Sequence, residues 1–324
     1  MTSRISYYRR LWQLYRSYRR NDAVVRFPPA RLWIELSARC KLRCVMCPNR
    51  DFPEDQKGDM GWPIFQKVVD EAEGFAFEVS LHHRGESLLH PRALEFIRYA
   101  ASKRMRTKLH TNGSLLTRGL AEGIVDSGLS RISFSFDGFT RKDYEKIRRG
   151  GDFEQVVANI RGLLEARKKA GTRSPVVAVE AIALSGRRKP GGKETSLFQE
   201  LRREGLDELV VKEPHNWAGY WKSGRRSMPY TLCTFPWNAL LVLWNGDVSP
   251  CSQDFFGTYI LGNAMEKSLT EIWNDEPMRR LRAGLSERRF EEFSSCSDCD
   301  RLWRDTFLGI PREYLRRLIF RRLP

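Results

Sequence analysis

Three cysteines, Cys40, Cys44 and Cys47, fall within eight consecutive residues and follow directly on a short apolar run at 32–36. Thiols so close together in a loop can wrap one small metal cluster. A [4Fe–4S] cube has four irons, so three protein ligands leave one iron open to a bidentate small molecule. The alternatives are three buried structural cysteines or a partial zinc site, but zinc wants a fourth ligand nearby and none of the closest side chains is convincing.

Four further cysteines, Cys233, Cys251, Cys296 and Cys299, make the total seven. An odd number argues against a pure disulfide framework. The Arg- and Tyr-rich N-terminus lacks an apolar signal core and no stretch approaches the roughly 20 apolar residues of a membrane span. A cytoplasmic location is therefore expected, where close cysteine spacings read as thiolate ligands. The net charge of +16 is uneven. Residues 1–31 carry eight arginines against Asp22 alone, and residues 301–324 carry seven against Asp305 and Glu313.

Between those ends, strand-like and helix-like segments alternate. Strands are predicted at 32–36, 76–81, 107–110, 131–136, 176–183 and 208–211, separated by helices at 63–73, 91–103, 118–127, 140–148, 153–170 and 195–204. Six strands interleaved with helices predict an α/β fold of parallel βαβ units, wound as a sheet or partial barrel. Chemistry in such folds sits in the loops after the strands, where the cysteine triad lies. Beyond about residue 220 the pattern changes. A hairpin is predicted over 239–251 around Asn245-Gly246-Asp247, with a return at 260–263 and short helices after Ser268 and Pro277.

The triad and its flanking text, Ala38-Arg39-Cys40-Lys41-Leu42-Arg43-Cys44-Val45-Met46-Cys47-Pro48, resemble the radical S-adenosylmethionine (SAM) superfamily. The resemblance implies a partial (β/α)6 barrel with SAM chelated to the open iron and cleaved to a 5′-deoxyadenosyl radical. Arg84-Gly85-Glu86-Ser87 stands where relatives carry Gly-Gly-Glu-Pro, so Gly85 and Glu86 would meet the methionine ammonium; Arg84 and Ser87 are the departures. Met46 stands where relatives often touch adenine. Ser133 and Ser135 alternate on a strand face that often helps hold SAM in the family, and Asn112 lies at the end of the third strand; for each, a satisfied turn or strand-end position is an equal alternative.

Text from Cys233 through Gly246 and Cys251 to Leu261-Gly262-Asn263 and Leu269-Thr270-Glu271-Ile272-Trp273 resembles the SPASM domain or its shortened form, twitch. The resemblance implies a small C-terminal α+β domain whose four cysteines ligate an auxiliary [4Fe–4S] cluster, with zinc the alternative occupant. Expected boundaries are a basic amphipathic extension at 1–30, the barrel at 31–220, the auxiliary domain at 221–300 and a basic helix at 301–324.

With three plus four cysteines assigned, no thiol remains to return a hydrogen to a substrate radical. That favours oxidation of a secondary alcohol on a sugar-like or cyclitol substrate, the auxiliary cluster accepting the electron. The later cysteine spacing looks most like the twitch-type alcohol dehydrogenase of aminoglycoside biosynthesis. An epimerase with a non-cysteine donor, a peptide-modifying SPASM enzyme and a zinc-stabilised basic binding protein stay open. Candidates to touch substrate or act as base are His83, His110, Glu180, Lys212 and His215; for each, a hydrogen-bonded core or rim position is the plainer reading. Asp298 and Asp300 are expected to be solvated. The resemblance also implies an external electron donor such as flavodoxin or ferredoxin. The basic ends could dock on an anionic membrane or a lipid-linked sugar, or could simply pack on the domain with solvated arginines. No recognition motif supports nucleic acid.

Overall fold

In the computed structural model, residues 4–184, 193–222, 227–307 and 310–311 are described. The core is a parallel sheet of six strands: β1 (Arg31–Ile34), β2 (Glu78–Ser80), β3 (Arg106–Thr111), β4 (Arg131–Ser135), β5 (Val176–Ile182) and β6 (Glu208–Lys212). They lie side by side in chain order. The crossovers carry α2 (Trp62–Glu73), α3 (Ala93–Ser102), α4 (Arg118–Val125), α5 (Arg141–Ile147), α6 (Phe153–Lys169) and α7 (Lys193–Arg203), and α1 (Arg4–Arg19) precedes the first strand. This is a mixed α/β fold built on a six-stranded partial barrel, as the sequence pattern predicts.

Strand periodicity explains why two different faces arise. Residues two apart share a face, and Leu32, Val79, Leu109, Ile132 and Val177 fall on one and are fully buried. That face packs under the helices. The other face brings Glu78 opposite Arg106, Lys108 opposite Arg131, His110 opposite Ser133, and Ser135 opposite Glu180. A polar inner face within an α/β sheet is costly unless its groups pair or serve a ligand.

Three strands of the C-terminal region join this sheet, while Thr306–Phe307 and Ile310–Pro311 pair separately as a two-stranded antiparallel ribbon. Strand β7 (Ala239–Val242) pairs parallel with β1, from Arg31 opposite Ala239 to Ile34 opposite Val242. Strands β8 (Asp247–Ser249) and β9 (Gly262–Asn263) then continue antiparallel, extending the sheet to nine strands. The β7–β8 turn closes through Gly246 at φ +91°, a left-handed conformation that glycine adopts at little cost. Helix α8 (Leu269–Ile272) begins with a full capping box between Ser268 and Glu271. Helix α9 (Glu276–Ser286) carries Arg282, fully buried, whose guanidinium donates to the carbonyls of Pro236 (2.8 Å) and Ala23 (2.9 Å) and lies over Trp273. It ties the N-terminal segment to the C-terminal helices.

Helix α1 runs across the N-terminal ends of the strands. Tyr7 packs on Phe77 before β2, Arg10 donates to Pro28 before β1, and Tyr18 packs on Trp237 before β7. Leu14, Ser17 and Tyr18 are buried, while Tyr8, Arg9, Trp12, Arg16, Arg19 and Arg20 face solvent. The expected C-terminal basic helix falls largely at 312–324, outside the described residues.

Because β1 is hydrogen-bonded on both sides, its side chains have no room to relax. Leu32→Ala should lower unfolding free energy by about 3 kcal/mol, read as a shift in denaturant midpoint at unchanged slope.

Candidate active site

The loop after β1 holds Cys40, Cys44 and Cys47 at the C-terminal end of the sheet. Its backbone is pinned on one side by the end of α5 and the residues just after it, where Val45 and Arg43 donate to the carbonyls of Ile147 and Arg149, each at 2.9 Å. Cys47 N–H donates to the carbonyl of Cys44 at 3.1 Å, closing a turn that brings these two residues together. Asn49 spans the loop's base, its amide donating to Ala38 (2.8 Å) and Arg84 (3.0 Å). Burial pushes Cys40 up to about 11 and Cys47 to about 12, and the neighbouring thiols push in the same direction.

The loop after β2 seats this cysteine loop. A Cβ on Gly85 would stand 2.4 Å from the carbonyl of Ser37 and 2.5 Å from that of Arg39, so only glycine permits the approach. Glu86 N–H donates to Arg39 at 2.8 Å. Its carboxylate accepts from Leu88 N–H (3.1 Å), Thr111 hydroxyl (2.8 Å) and Asn112 N–H (2.7 Å). Burial still raises the Glu86 pKa above the usual carboxylate value. Asn112 directs its side-chain amide at Cys40 Sγ, 3.8 Å away.

The two departures from the family's glycine-rich stretch have structural counterparts. Arg84 is buried and pairs in bidentate fashion with Glu35, both contacts at 2.6 Å. Burial alone would raise the Glu35 pKa; Arg84 outweighs it and holds the carboxyl below its ordinary value. Ser87 donates to Leu81 at 2.7 Å. A second buried pair, Arg148 with Asp137 at 2.6 Å, reaches Cys44 Sγ at 3.9 Å through the other guanidinium nitrogen. Sequence reading missed Glu35, Asp137 and Arg148; a lone acid inside the apolar run at 32–36 was the available signal.

Below the cysteine loop, the inner face of the sheet gathers three of the five predicted substrate-contact residues. His110 Nε2 lies 3.8 Å from Glu180, which also pairs with Lys212 and stands 3.8 Å from Arg131. His82, which the sequence reading passed over, stacks on His110 at 4.1 Å. Burial, with each histidine facing neighbouring positive charge, lowers His110 to about 4 and His82 well below its ordinary value. Both are therefore neutral at pH 7. Burial would raise Glu180, but His110, Lys212 and Arg131 hold it far below the normal range. Ser133 and Ser135 lie on the same face, Ser133 fully buried.

The other two candidates lie elsewhere. His83 points to the opposite side of its strand end, against Phe255, and burial lowers it to about 4. His215 packs edge-on against Trp217 beyond β6. Met46 is buried among Leu42 and Cys44.

Cys233, Cys251, Cys296 and Cys299 come together on the C-terminal region. Cys299 N–H donates to Cys296 at 3.1 Å, the same turn as in the first loop. Burial pushes Cys299 up to about 12 and the other three upward; Cys296 also feels the other three thiols, and Cys251 feels Cys233 and Cys299. All seven cysteines are free thiols. Both groups fit an iron–sulfur cluster: buried thiols that oppose one another's ionisation become thiolates when iron supplies the compensating charge. One expectation fails. Asp300 is buried, 1% exposed, and accepts from Asn216 N–H at 3.1 Å, while Asp298 is exposed.

The sequence matches the radical SAM superfamily over residues 34–180 and the SPASM iron–sulfur cluster-binding domain over residues 233–300. The chain belongs to the radical SAM superfamily. Its cofactors are SAM, one [4Fe–4S] cluster in the radical SAM domain and an auxiliary cluster in the SPASM domain. It is 27% identical to a tungsten-containing aldehyde ferredoxin oxidoreductase cofactor-modifying protein of Pyrococcus furiosus, covering 83% of this chain and 86% of the relative. It is 21% identical to the SAM-dependent 2-deoxy-scyllo-inosamine dehydrogenase of Niallia circulans, covering 82% and 91%. The twitch-type comparison made from cysteine spacing thus matches this relative. Among solved structures, BtrN in complex with AdoMet and 2-DOIA superposes with TM-score 0.57 at 18% identity, covering 83% of this chain and 92% of that one. SuiB of Streptococcus suis bound to its precursor peptide SuiA gives TM-score 0.65 at 16% identity, covering 90% and 73%. At these identities the structural likeness speaks for the radical SAM fold.

Gly85 and Gly119 make a matched pair for testing the seating of the first loop, since nothing stands within 4 Å of a Cβ on Gly119. Gly85→Ala should retain about four irons per chain after reconstitution instead of about eight. Gly119→Ala, in helix α4, should keep all of them and melt no lower than the parent.

Proposed function

We propose that this radical SAM enzyme oxidises a secondary alcohol of a sugar-like or cyclitol small molecule to a carbonyl. The observation that supports this reading is that all seven cysteines are free thiols divided between the two matched domains, three in one and four in the other, so that two clusters ligated by them would leave no thiol to donate a hydrogen back to the substrate. The 2-deoxy-scyllo-inosamine dehydrogenase relative acts, by its name, on such a cyclitol. The oxidation removes one hydrogen atom from the carbinol carbon, one proton from its hydroxyl and one electron. Bound SAM with its cluster supplies the 5′-deoxyadenosyl radical that takes the hydrogen atom, and the auxiliary cluster supplies an electron acceptor.

The protein's own residues position the substrate and take the proton. Glu86 Oε1 already accepts two bonds and Oε2 one, so Oε2 keeps a lone pair for the SAM ammonium. Gly85, Met46, Asn112, Ser133 and Ser135 would line the rest of the SAM site. His110 is neutral, with Nε2 3.8 Å from Glu180, which suits it to accept the hydroxyl proton. His82 Nδ1 is buried with no hydrogen-bond partner among the described residues, so a substrate hydroxyl would satisfy it. Lys212 and Arg131 keep Glu180 ionised. His83 and His215, packed against Phe255 and Trp217 away from this group, stand outside the proposed substrate site. An external one-electron donor of the flavodoxin or ferredoxin type would reduce the first cluster.

Turnover of a candidate alcohol deuterated at the carbinol carbon should place deuterium in 5′-deoxyadenosine and yield a product two daltons lighter than the unlabelled alcohol. An alcohol product one dalton lighter than the deuterated substrate, its deuterium replaced by solvent hydrogen, would instead mark an epimerase. A base with pKa about 4 is deprotonated above that pH and protonated below it. The acidic limb of kcat should therefore fall near pH 4 and not near the usual histidine value of about 6.5, and His110→Asn should lower kcat by about a hundredfold and remove the limb.

No helix among the described residues is long and apolar enough to cross a membrane. Trp12 and Tyr8, 59% and 48% exposed among arginines of α1, support a peripheral contact with anionic lipid. Helix α1 lies at the opposite end of the sheet from the cysteine loop, which favours substrate drawn from solution over a lipid-linked sugar. Vesicles containing phosphatidylserine should float the full chain, and Trp12→Ala with Arg9→Ala should weaken that binding at least fivefold; absence of flotation by the parent would remove the idea.

A further inference from the structure

The segment 215–221 belongs to neither cysteine group, yet it touches both. Asn216 donates from its side-chain amide to the carbonyl of Asp298 (2.7 Å) and accepts at Oδ1 from the N–H of Asp300 (3.0 Å). Those two backbone groups flank Cys299 on either side, so one amide side chain grips the ligand-bearing backbone much as a paired strand would. Asn216 N–H adds a third bond, to Asp300 Oδ2 at 3.1 Å. The next residue turns the other way: Trp217 Nε1–H donates to the carbonyl of Met46 at 3.2 Å, directly before Cys47.

The backbone between these contacts is strained. Trp217 has φ +48° and Ala218 φ +54°, left-handed values that bulky and β-carbon-bearing residues seldom adopt. Such conformations persist where the surroundings over-determine them. Here Trp221 N–H and Gly219 N–H both return to the Asn216 carbonyl, at 3.0 and 3.1 Å. A Cβ on Gly219 would stand 2.7 Å from Asp298 Cβ. Tyr220 then bonds Asp51 and receives a bond from Arg50 (3.4 Å), on the far side of the first loop. Trp217 also packs edge-on against Phe255 at 5.4 Å.

We infer that Asn216 and Trp217 form a strap that fixes the first cysteine loop relative to the auxiliary one, and that they are positioning residues for both clusters. The inference rests on the two-cluster constitution of the enzyme and assigns to it a mechanical link. From Cys47 to Cys299 the connection runs through Met46, one hydrogen bond, Trp217, Asn216 and one further hydrogen bond. Electron exchange between two centres depends on their separation, so a link that holds both ligand backbones sets that separation.

The test uses the full chain in two states. In metal-free protein under argon, alkylation of individual cysteines by iodoacetamide is followed by peptide mass spectrometry. Asn216→Ala should speed modification of Cys299 about tenfold, the effect of losing hydrogen bonds worth roughly that factor, with Cys40 unchanged. Trp217→Phe keeps the ring and loses the N–H; it should speed Cys47 several-fold and leave Cys299 within twofold of the parent. In reconstituted protein reduced with dithionite, pulsed EPR of the magnetic coupling between the clusters should give a broader distance distribution in both variants. Unchanged alkylation rates and an unchanged distribution in Trp217→Phe would overturn the strap, whether or not Asn216→Ala folds. Failure of the parent itself to hold about eight irons would instead overturn the two-cluster constitution.

Discussion

The carboxylate of Glu86 is the junction on which the candidate active site depends. It collects an N–H from its own loop and two donors from the end of β3, while its amide holds the cysteine loop through Arg39. Three segments distant in sequence are thereby locked within a few ångströms of the thiols. Gly85 makes this possible by letting backbone meet backbone where any side chain would intrude. The same carboxylate keeps acceptor capacity on one oxygen, so the structural junction and the proposed SAM contact are one group. A buried carboxylate with several donors is stable because each hydrogen bond replaces one lost to water.

Charge is handled by pairing close to the thiols and left partly open in the barrel. Glu35 with Arg84 and Asp137 with Arg148 are neutral pairs, each bonded at short distance and buried. Removing either partner would strand a charge, at a cost of about 3–5 kcal/mol. Deeper in the barrel the balance differs, with His82 and His110 neutral and stacked beside an ionised Glu180. A neutral imidazole next to a fixed negative charge gains a proton at little rearrangement, which suits a base.

The SPASM region is joined to the barrel more intimately than a linker would join it. Strand β7 pairs directly with β1, Phe255 meets Phe52 from the first loop, and residues 216 and 217 contact both cysteine loops. Both thiol groups therefore hang from one continuous sheet, the first beyond the end of β1 and Cys251 just after β8. Rigid placement of this kind is what electron exchange between fixed centres asks of a protein.

The amino-acid sequence by itself determined the six-strand α/β plan, the seven thiols and their division into two groups, because period-2 and period-3.6 patterns and short cysteine spacings are local properties. It also marked Gly85, Glu86, His110, Glu180 and Lys212. It could not reveal His82, whose role comes from a ring 28 positions later that the sheet register sets against it. Nor could it pair Glu35 with Arg84, bury Asp300 against Asn216, or lay β7 beside β1. Those contacts join residues far apart in the chain, and only the closing of the sheet decides which distant groups become neighbours.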